Sequence, residues 1–288
     1  MPLQYFGQYL VQKEVITPEH LAKAVAMQET VNYSFGAIAK KAGFLNSEEI
    51  IKINRLQQTH DILFGEAAIK LGLLTIEQES RIIAHQKEHH LYIGEALTAI
   101  GCIGFEELRQ HLNDFEKLQT GHKSSGLDIP EDIPFPELCR GIGELSHKIL
   151  SRVARIKFKP DKCEVATKID SNSTAIIIEF TGDVSFSYIM TFPKQIRNKI
   201  ATEIISTNKF SNEKISLDTT VNEFSRIICD NIISKASEMG IRLVMLQSDL
   251  SDDDEDIAVP HSNICLLLPA YLPTSEWVDI AIILSSHN

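Results

Sequence analysis

Glu223 and Arg226 stand three residues apart in TTVNEFSRIICDNIISKASEMG, residues 219–240. On a helix that spacing puts both side chains on one face. A carboxylate and a guanidinium held side by side could meet one ligand together, the cation being suited to a phosphoryl group. A solvated ion pair is the plainer reading of the same pattern. Glu144 and His147 repeat the spacing in the predicted helix 135–154. Asn222 and Asn231 flank Glu223 but fall on other faces of the helix. His85, His89 and His90 include a pair four apart that could ligate a metal, yet no third ligand of suitable spacing accompanies them, so no metal is expected.

The elements that carry these residues fall into two regions. Gly7, Gly36, Gly65 and Gly94 are spaced by a constant 29 residues and begin four copies of one skeleton: FGQYLVQKEVITPEHL, FGAIAKKAGFLNSEEI, FGEAAIKLGLLTIEQE and IGEALTAIGCIGFEEL. Ten residues after each glycine come Thr17, Asn46, Thr75 and Gly104, all helix N-cap types. Glu19, Glu48, Glu77 and Glu106 follow in the first turn, where the helix dipole favours a carboxylate. Glu49, Gln78 and Glu107 suit the third position of a capping box, whereas copy one has His20. Gly43, Gly72 and Gly101 supply the left-handed residue that stops a preceding short helix; copy one departs with Glu14. Each copy is predicted as a short helix, a turn with two apolar residues and a longer helix. Apolar stations such as Leu21, Val25, Ile50 and Ile53 give the longer helix a buried face, so the four copies are expected to pack together.

This repeat resembles the tandem motif of the N-terminal domain of type II secretion and type IV pilus ATPases. The matching features are the period, the glycines and the closing glutamines Gln28, Gln57 and Gln86. Some members of that family bind cyclic dimeric GMP through an arginine and a glutamine of paired motifs, so the resemblance makes these three glutamines candidate ligand-binding residues. The arginine slot here holds Tyr5, Ser34, Leu63 and Tyr92, and Phe115 takes the fourth glutamine slot. None of these copies the two-pronged contact of a guanidinium with guanine, although a tyrosine can stack on a base. The alternative is a helical scaffold that presents a surface to a partner.

A segment rich in glycine, serine and proline, 117–134, reads as a flexible linker between an all-α repeat domain (1–116) and a second domain (135–288). Beyond it come β-rich runs at KCEVATKI, TAIIIEF and VSFSYIMTF, with a turn at Thr181-Gly182-Asp183. Pro193 opens a helix to about Ile205, and Asp218 or Thr219 caps a long one that Gly240 ends. Strands near 241–247, 262–269 and 277–285 complete an α+β domain. The order of elements resembles the CheX/CheC/FliY chemotaxis phosphatase family over nearly all of 134–286. The resemblance implies an E-x-x-N signature on the long helix, whose glutamate pairs with a lysine of a CheY-like receiver and whose asparagine orients the hydrolytic water. Glu223 fills the first slot and Arg226 the second. A guanidinium has donors only and cannot hold that water as an amide does. Glu144 and His147 occupy a helix corresponding to the second active helix of CheC-type members. The resemblance further implies a homodimer.

Composition narrows the function. A net charge of −11 and a pI near 5.4 argue against a phosphate-backbone binder. No apolar run reaches membrane-spanning length and no signal-peptide pattern opens the chain, so a cytoplasmic protein is expected. Five scattered cysteines suggest reduced, mostly buried thiols. The acidic run Asp252-Asp253-Asp254-Glu255-Asp256 lacks a calcium-loop pattern and reads as a solvated loop. No cofactor motif is present. The expectation is a two-domain signalling adaptor whose CheX-like domain binds a CheY-like receiver without phosphatase activity. An active aspartyl-phosphate phosphatase and a sensor of cyclic dimeric GMP are the alternatives.

Overall fold

The computed structural model describes residues 5–60, 62–119, 127–207, 216–252, 255–274 and 276–285. It falls into two compact units, the first made by the described residues of 5–119 and the second built on 127–272 and 276–285.

The first unit repeats one local design four times. Short helices α1 (Phe6–Gln12), α3 (Phe35–Lys41), α5 (Phe64–Lys70) and α7 (Ile93–Ala99) each lead into a longer one. The longer helices are α2 (Pro18–Val31), α4 (Ser47–Thr59), α6 (Ile76–Glu88) and α8 (Phe105–Gln119). Every short helix ends with a residue at positive φ: Glu14 at 58°, Gly43 at 73°, Gly72 at 67° and Gly101 at 74°. The next N–H then bonds back into the helix, Val15 to Leu10, Phe44 to Ala39, Leu73 to Ala68 and Cys102 to Leu97, at 2.9–3.0 Å, which satisfies otherwise orphaned carbonyls. Thr17, Asn46 and Thr75 cap the long helices as their types predict. His20 proves no obstacle, because its Nδ1 accepts from the Thr17 N–H, at a long 3.5 Å.

The four copies do not form one core. Copies one and four bury Leu10, Leu21, Ala24 and Leu97 together, with α2 against α7 and α1 against α8. Copies two and three bury Ile38, Ile53, Ala67 and Ile82 in a separate cluster, with α3 against α6 and α4 against α5. Each short helix thus lies against the long helix of its partner copy, covering an apolar face that one copy alone would leave wet.

In the second unit α9 (Pro136–Arg152) begins at a proline, which is preorganised for a first helical position. The expected strand 162–169 is divided. Lys159–Pro160 (β1) and Glu164–Ala166 (β2) pair with β8 (Ile264–Tyr271), while Lys168–Ile169 (β3) pairs with β7 (Ile257–Ala258) in a two-stranded sheet of its own. The hairpin of β4 (Thr174–Gly182) and β5 (Phe186–Phe192) is as predicted, except that Thr181 and Gly182 still pair with β6 (Leu243–Ser251) and the turn lies just beyond them. Helices α10 (Lys194–Thr207) and α11 (Leu217–Glu238) follow, and β9 (Trp277–Leu284) is the last strand. Ser216, not Asp218 or Thr219, caps α11: its Oγ accepts from the Thr219 N–H at 3.1 Å. Gly240, at φ 77°, follows the helix end as expected.

The main sheet is antiparallel, in the order β1-β8-β9-β5-β4-β6 with β2 also on β8. Side chains alternate across it. Phe186, Tyr188, Met190 and Phe192 of β5, and Val278, Ile280 and Ile282 of β9, face the helices and form the larger core with Phe224, Ile228 and Ile232 of α11. Ile189, Ala281, Ile283 and Cys265 face the other way and are covered by Ile169 and Val259. Leu127, Ile129 and Ile133, expected in a flexible linker, are buried in the larger core, since three apolar side chains in a short polar segment gain by leaving water. Lys117 still belongs to α8.

Candidate functional site

Helix α11 owes its orientation to Val221, Phe224, Ile228 and Ile232, all fully buried. Ser225 ties it to the sheet through a 2.6 Å hydroxyl contact with Ser248 on β6. Burying that face leaves Glu223 half-buried and Asn222, Arg226 and Asp230 exposed; spaced by four, these three share one side of the helix, so Asn222 stands beside Arg226 and not on a face apart from the pair.

Glu223 and Arg226 meet directly. The guanidinium donates from Nε to Oε2 at 3.0 Å and from Nη2 to Oε1 at 2.6 Å, so both carboxylate oxygens are held. Its Nη1 donates to Asp230 Oδ2 at 3.2 Å. The hydrogen bonds to Glu223 raise the Arg226 pKa above its already high value. Each of the three guanidinium nitrogens therefore has a carboxylate partner on the same helix. Asp230 escaped the sequence reading, although four residues from Arg226 is a recognised ion-pair spacing.

Glu144 and His147 are not brought together. Glu144 is exposed, and the His147 ring packs against Phe158 with centroids 5.0 Å apart. Its Nε2 is buried without a hydrogen-bond partner, and burial pushes its pKa down to about 4. No hydrogen bond or ion pair joins the two side chains among the described residues.

In the first unit the three glutamines share one task. Nε2 of Gln28 donates to Leu91 O at 2.8 Å, that of Gln57 to Ile62 O at 2.9 Å, and that of Gln86 to Tyr33 O at 3.3 Å. Leu91, Ile62 and Tyr33 occupy the same place in the repeat, one residue before the N-cap of a short helix. The N-caps are Tyr5, Ser34, Leu63 and Tyr92, the slots where the resembled family carries arginine. Phe115, in the fourth glutamine slot, instead packs against Phe6 and Tyr9, each at 5.3 Å between centroids.

The chain is similar to a chemotaxis protein CheX from Desulfovibrio desulfuricans at 17% identity and a TM-score of 0.44, over 52% of this chain and 99% of that one. CheX from Vibrio vulnificus gives 15% and 0.42, over 51% and 97%. A CheX–CheY–BeF3–Mg complex from Borrelia burgdorferi gives 15% and 0.40, over 51% and 97%. No protein-family model and no curated protein matches the chain.

Two further polar groups, Arg197 and Asp256, had no sequence signal, because their partners lie far along the chain. Arg197 of α10 bonds Asp252 through Nη1 at 2.7 Å and Asp218 through Nη2. With Asp256, which accepts from Lys168 and the Ser171 N–H, this anchors both ends of an acidic run expected as a solvated loop. Asp279 is buried on β9, where burial lifts its pKa to about 6 although the Trp277 indole N–H donates to it at 3.0 Å. The cysteines are unpaired, with Cys139, Cys229 and Cys265 buried and Cys102 and Cys163 half-buried. Among the described residues no helix is long and apolar enough to cross a membrane.

Proposed function

We propose that the second unit is a CheX-like adaptor that binds a CheY-like receiver and does not dephosphorylate it. The observation that carries this reading is the two-pronged contact of Arg226 with Glu223. A carboxylate already neutralised on its own helix is a poor partner for a receiver's lysine. A guanidinium has no acceptor with which to orient water, so both halves of the E-x-x-N chemistry are weakened at once. The exposed face of α11, with Asn222, Arg226 and Asp230, remains available for docking. Support for the receiver as partner is the resemblance in element order from the β4–β5 hairpin through Pro193 to α11. In the same reading the first unit is a scaffold for another component, its Gln28, Gln57 and Gln86 amides serving internal carbonyls.

The reading includes a homodimer. Edge strand β6 is where a second copy would add to the sheet, since it pairs with β4 alone among the described strands and exposes Val244 and Leu246, 59% and 63% accessible. Light scattering on the full chain and on Leu246→Lys tests this: a dimer that the charge dissociates is expected, and a parent monomer at high micromolar concentration overturns it.

The functional test mixes the full chain with receivers from its own genome, activated by beryllofluoride for binding or acetyl phosphate for turnover. Saturable binding with unchanged phosphate loss is expected. Accelerated loss that Glu223→Ala abolishes would replace this reading with a working phosphatase.

A further inference from the structure

The last turn of α6 carries a feature that the proposed function leaves unused. His85 and His89, four apart, bring their imidazoles into a parallel stack with centroids 4.2 Å apart and 8° between planes. Histidines four apart on a helix lie on one face, and with the rings this close a turn of either about its side-chain torsions brings one nitrogen of each to a shared ion. The tautomer of His89 is set by its surroundings. Its Nδ1 lies 3.2 Å from the His85 carbonyl oxygen, which can only accept, so Nδ1 bears the proton and Nε2 is the nitrogen that offers a lone pair in the neutral ring. A backbone carbonyl that fixes the tautomer of a ligating histidine is the usual outer partner of a metal-bound imidazole.

The surroundings favour a cation. Both rings are exposed and border a small open cleft that Asn32, Tyr33 and Gln86 also line. They sit at the C-terminal end of α6, where the helix dipole is negative, on a chain of net charge −11. Asn32 and Gln86 are committed to the carbonyls of Leu91 and Tyr33. His90 borders the same cleft, but its ring stands edge-on to Tyr92 at 4.7 Å. Among the described residues no group of three or more His, Cys, Asp or Glu side chains is placed to hold a metal.

We infer that His85 and His89 form a two-imidazole chelate for a late first-row divalent cation, with water completing the coordination. Nitrogen donors select copper, nickel and zinc over magnesium and calcium, and the affinity order should place copper first. Two protein ligands make such a site exchangeable, suited to reversible occupancy and not to structural support.

Calorimetric titration of the untagged full chain with copper(II), nickel(II) and zinc(II) chloride tests the site. One saturable equivalent is expected, tightest for copper, with nitrogen hyperfine structure in the copper EPR spectrum. His85→Asn and His89→Asn should each weaken it by about tenfold or more, while His90→Asn and the distant His60→Asn change it less than about twofold. All four positions are on the surface, so folding should survive each change. No saturable uptake, uptake indifferent to both His85 and His89, or an equal loss with His90→Asn would each overturn the assignment.

Discussion

Arg226 holds Glu223 by both carboxylate oxygens, at 3.0 and 2.6 Å, and reaches Asp230 with its remaining nitrogen at 3.2 Å. The relationship converts a spacing that suits receiver chemistry into a self-contained ion-pair network on one helix. Arg226 is 62% exposed and Asp230 equally so, and exposed networks of this kind contribute little stability.

Arg226→Asn should therefore cost less than about 1 kcal/mol in urea unfolding. It frees the Glu223 carboxylate and puts a donor–acceptor amide in the position the E-x-x-N arrangement needs. On the proposed function, phosphate loss from a receiver charged with acetyl phosphate should rise by roughly a hundredfold over the parent chain, the scale of one positioning group. An unchanged rate, with receiver binding intact, would show that the helix face fails for some other reason.

Asn32 makes a paired contact with the backbone of Leu91, donating to its O at 3.0 Å and accepting from its N at 2.7 Å, and Gln28 donates to the same carbonyl at 2.8 Å. Asn32→Ala strands a partly buried N–H, so it should destabilise the core shared by copies one and four by about 1–3 kcal/mol. Hydrogen exchange should show the loss in α2 and α7 while α4 and α5, in the other cluster, stay protected.

Tyr188 is fully buried, and its hydroxyl donates to Ser146 Oγ at 3.0 Å, which donates in turn to Ile142 O at 2.7 Å. Tyr188→Phe leaves Ser146 its own acceptor and should cost about 1 kcal/mol. Ser146→Ala orphans the phenol at the centre of the core and should cost more, about 1–3 kcal/mol. Thermal denaturation of both variants gives the order, and a reversal would mean the phenol has another partner.

Asp279 and His147 should tilt stability against pH in opposite directions. The Asp279 pKa rises from 3.8 to about 6 on folding, so the folded state holds the extra proton, and stability is lost as pH climbs through that window. The His147 pKa falls from 6.5 to about 4, so the unfolded state holds the extra proton, and stability is lost as pH falls through its window. Asp279→Asn should stabilise the chain by roughly 1–3 kcal/mol at pH 8 and by nearly nothing at pH 4. His147→Leu should help at pH 4.5 more than at pH 8. Chemical unfolding across pH 4–8 reads both, and parallel profiles for variant and parent would contradict the assignment.

Local signals were legible and long-range choices were not. The period of the repeat, the caps at Thr17, Asn46 and Thr75, and the left-handed positions at Gly43, Gly72 and Gly101 depend on a few neighbouring residues, so the sequence by itself determined them. The succession of hairpin, proline and two helices in the second unit was determined in the same way. The tertiary structure alone decided that copy one pairs with four and two with three, because four near-identical apolar faces match each other equally well by pattern. It also decided that Leu127, Ile129 and Ile133 are core, and that Arg197 gathers Asp218 and Asp252. Burial and charge pairing across long separations depend on which surfaces meet, and local propensity carries no record of that.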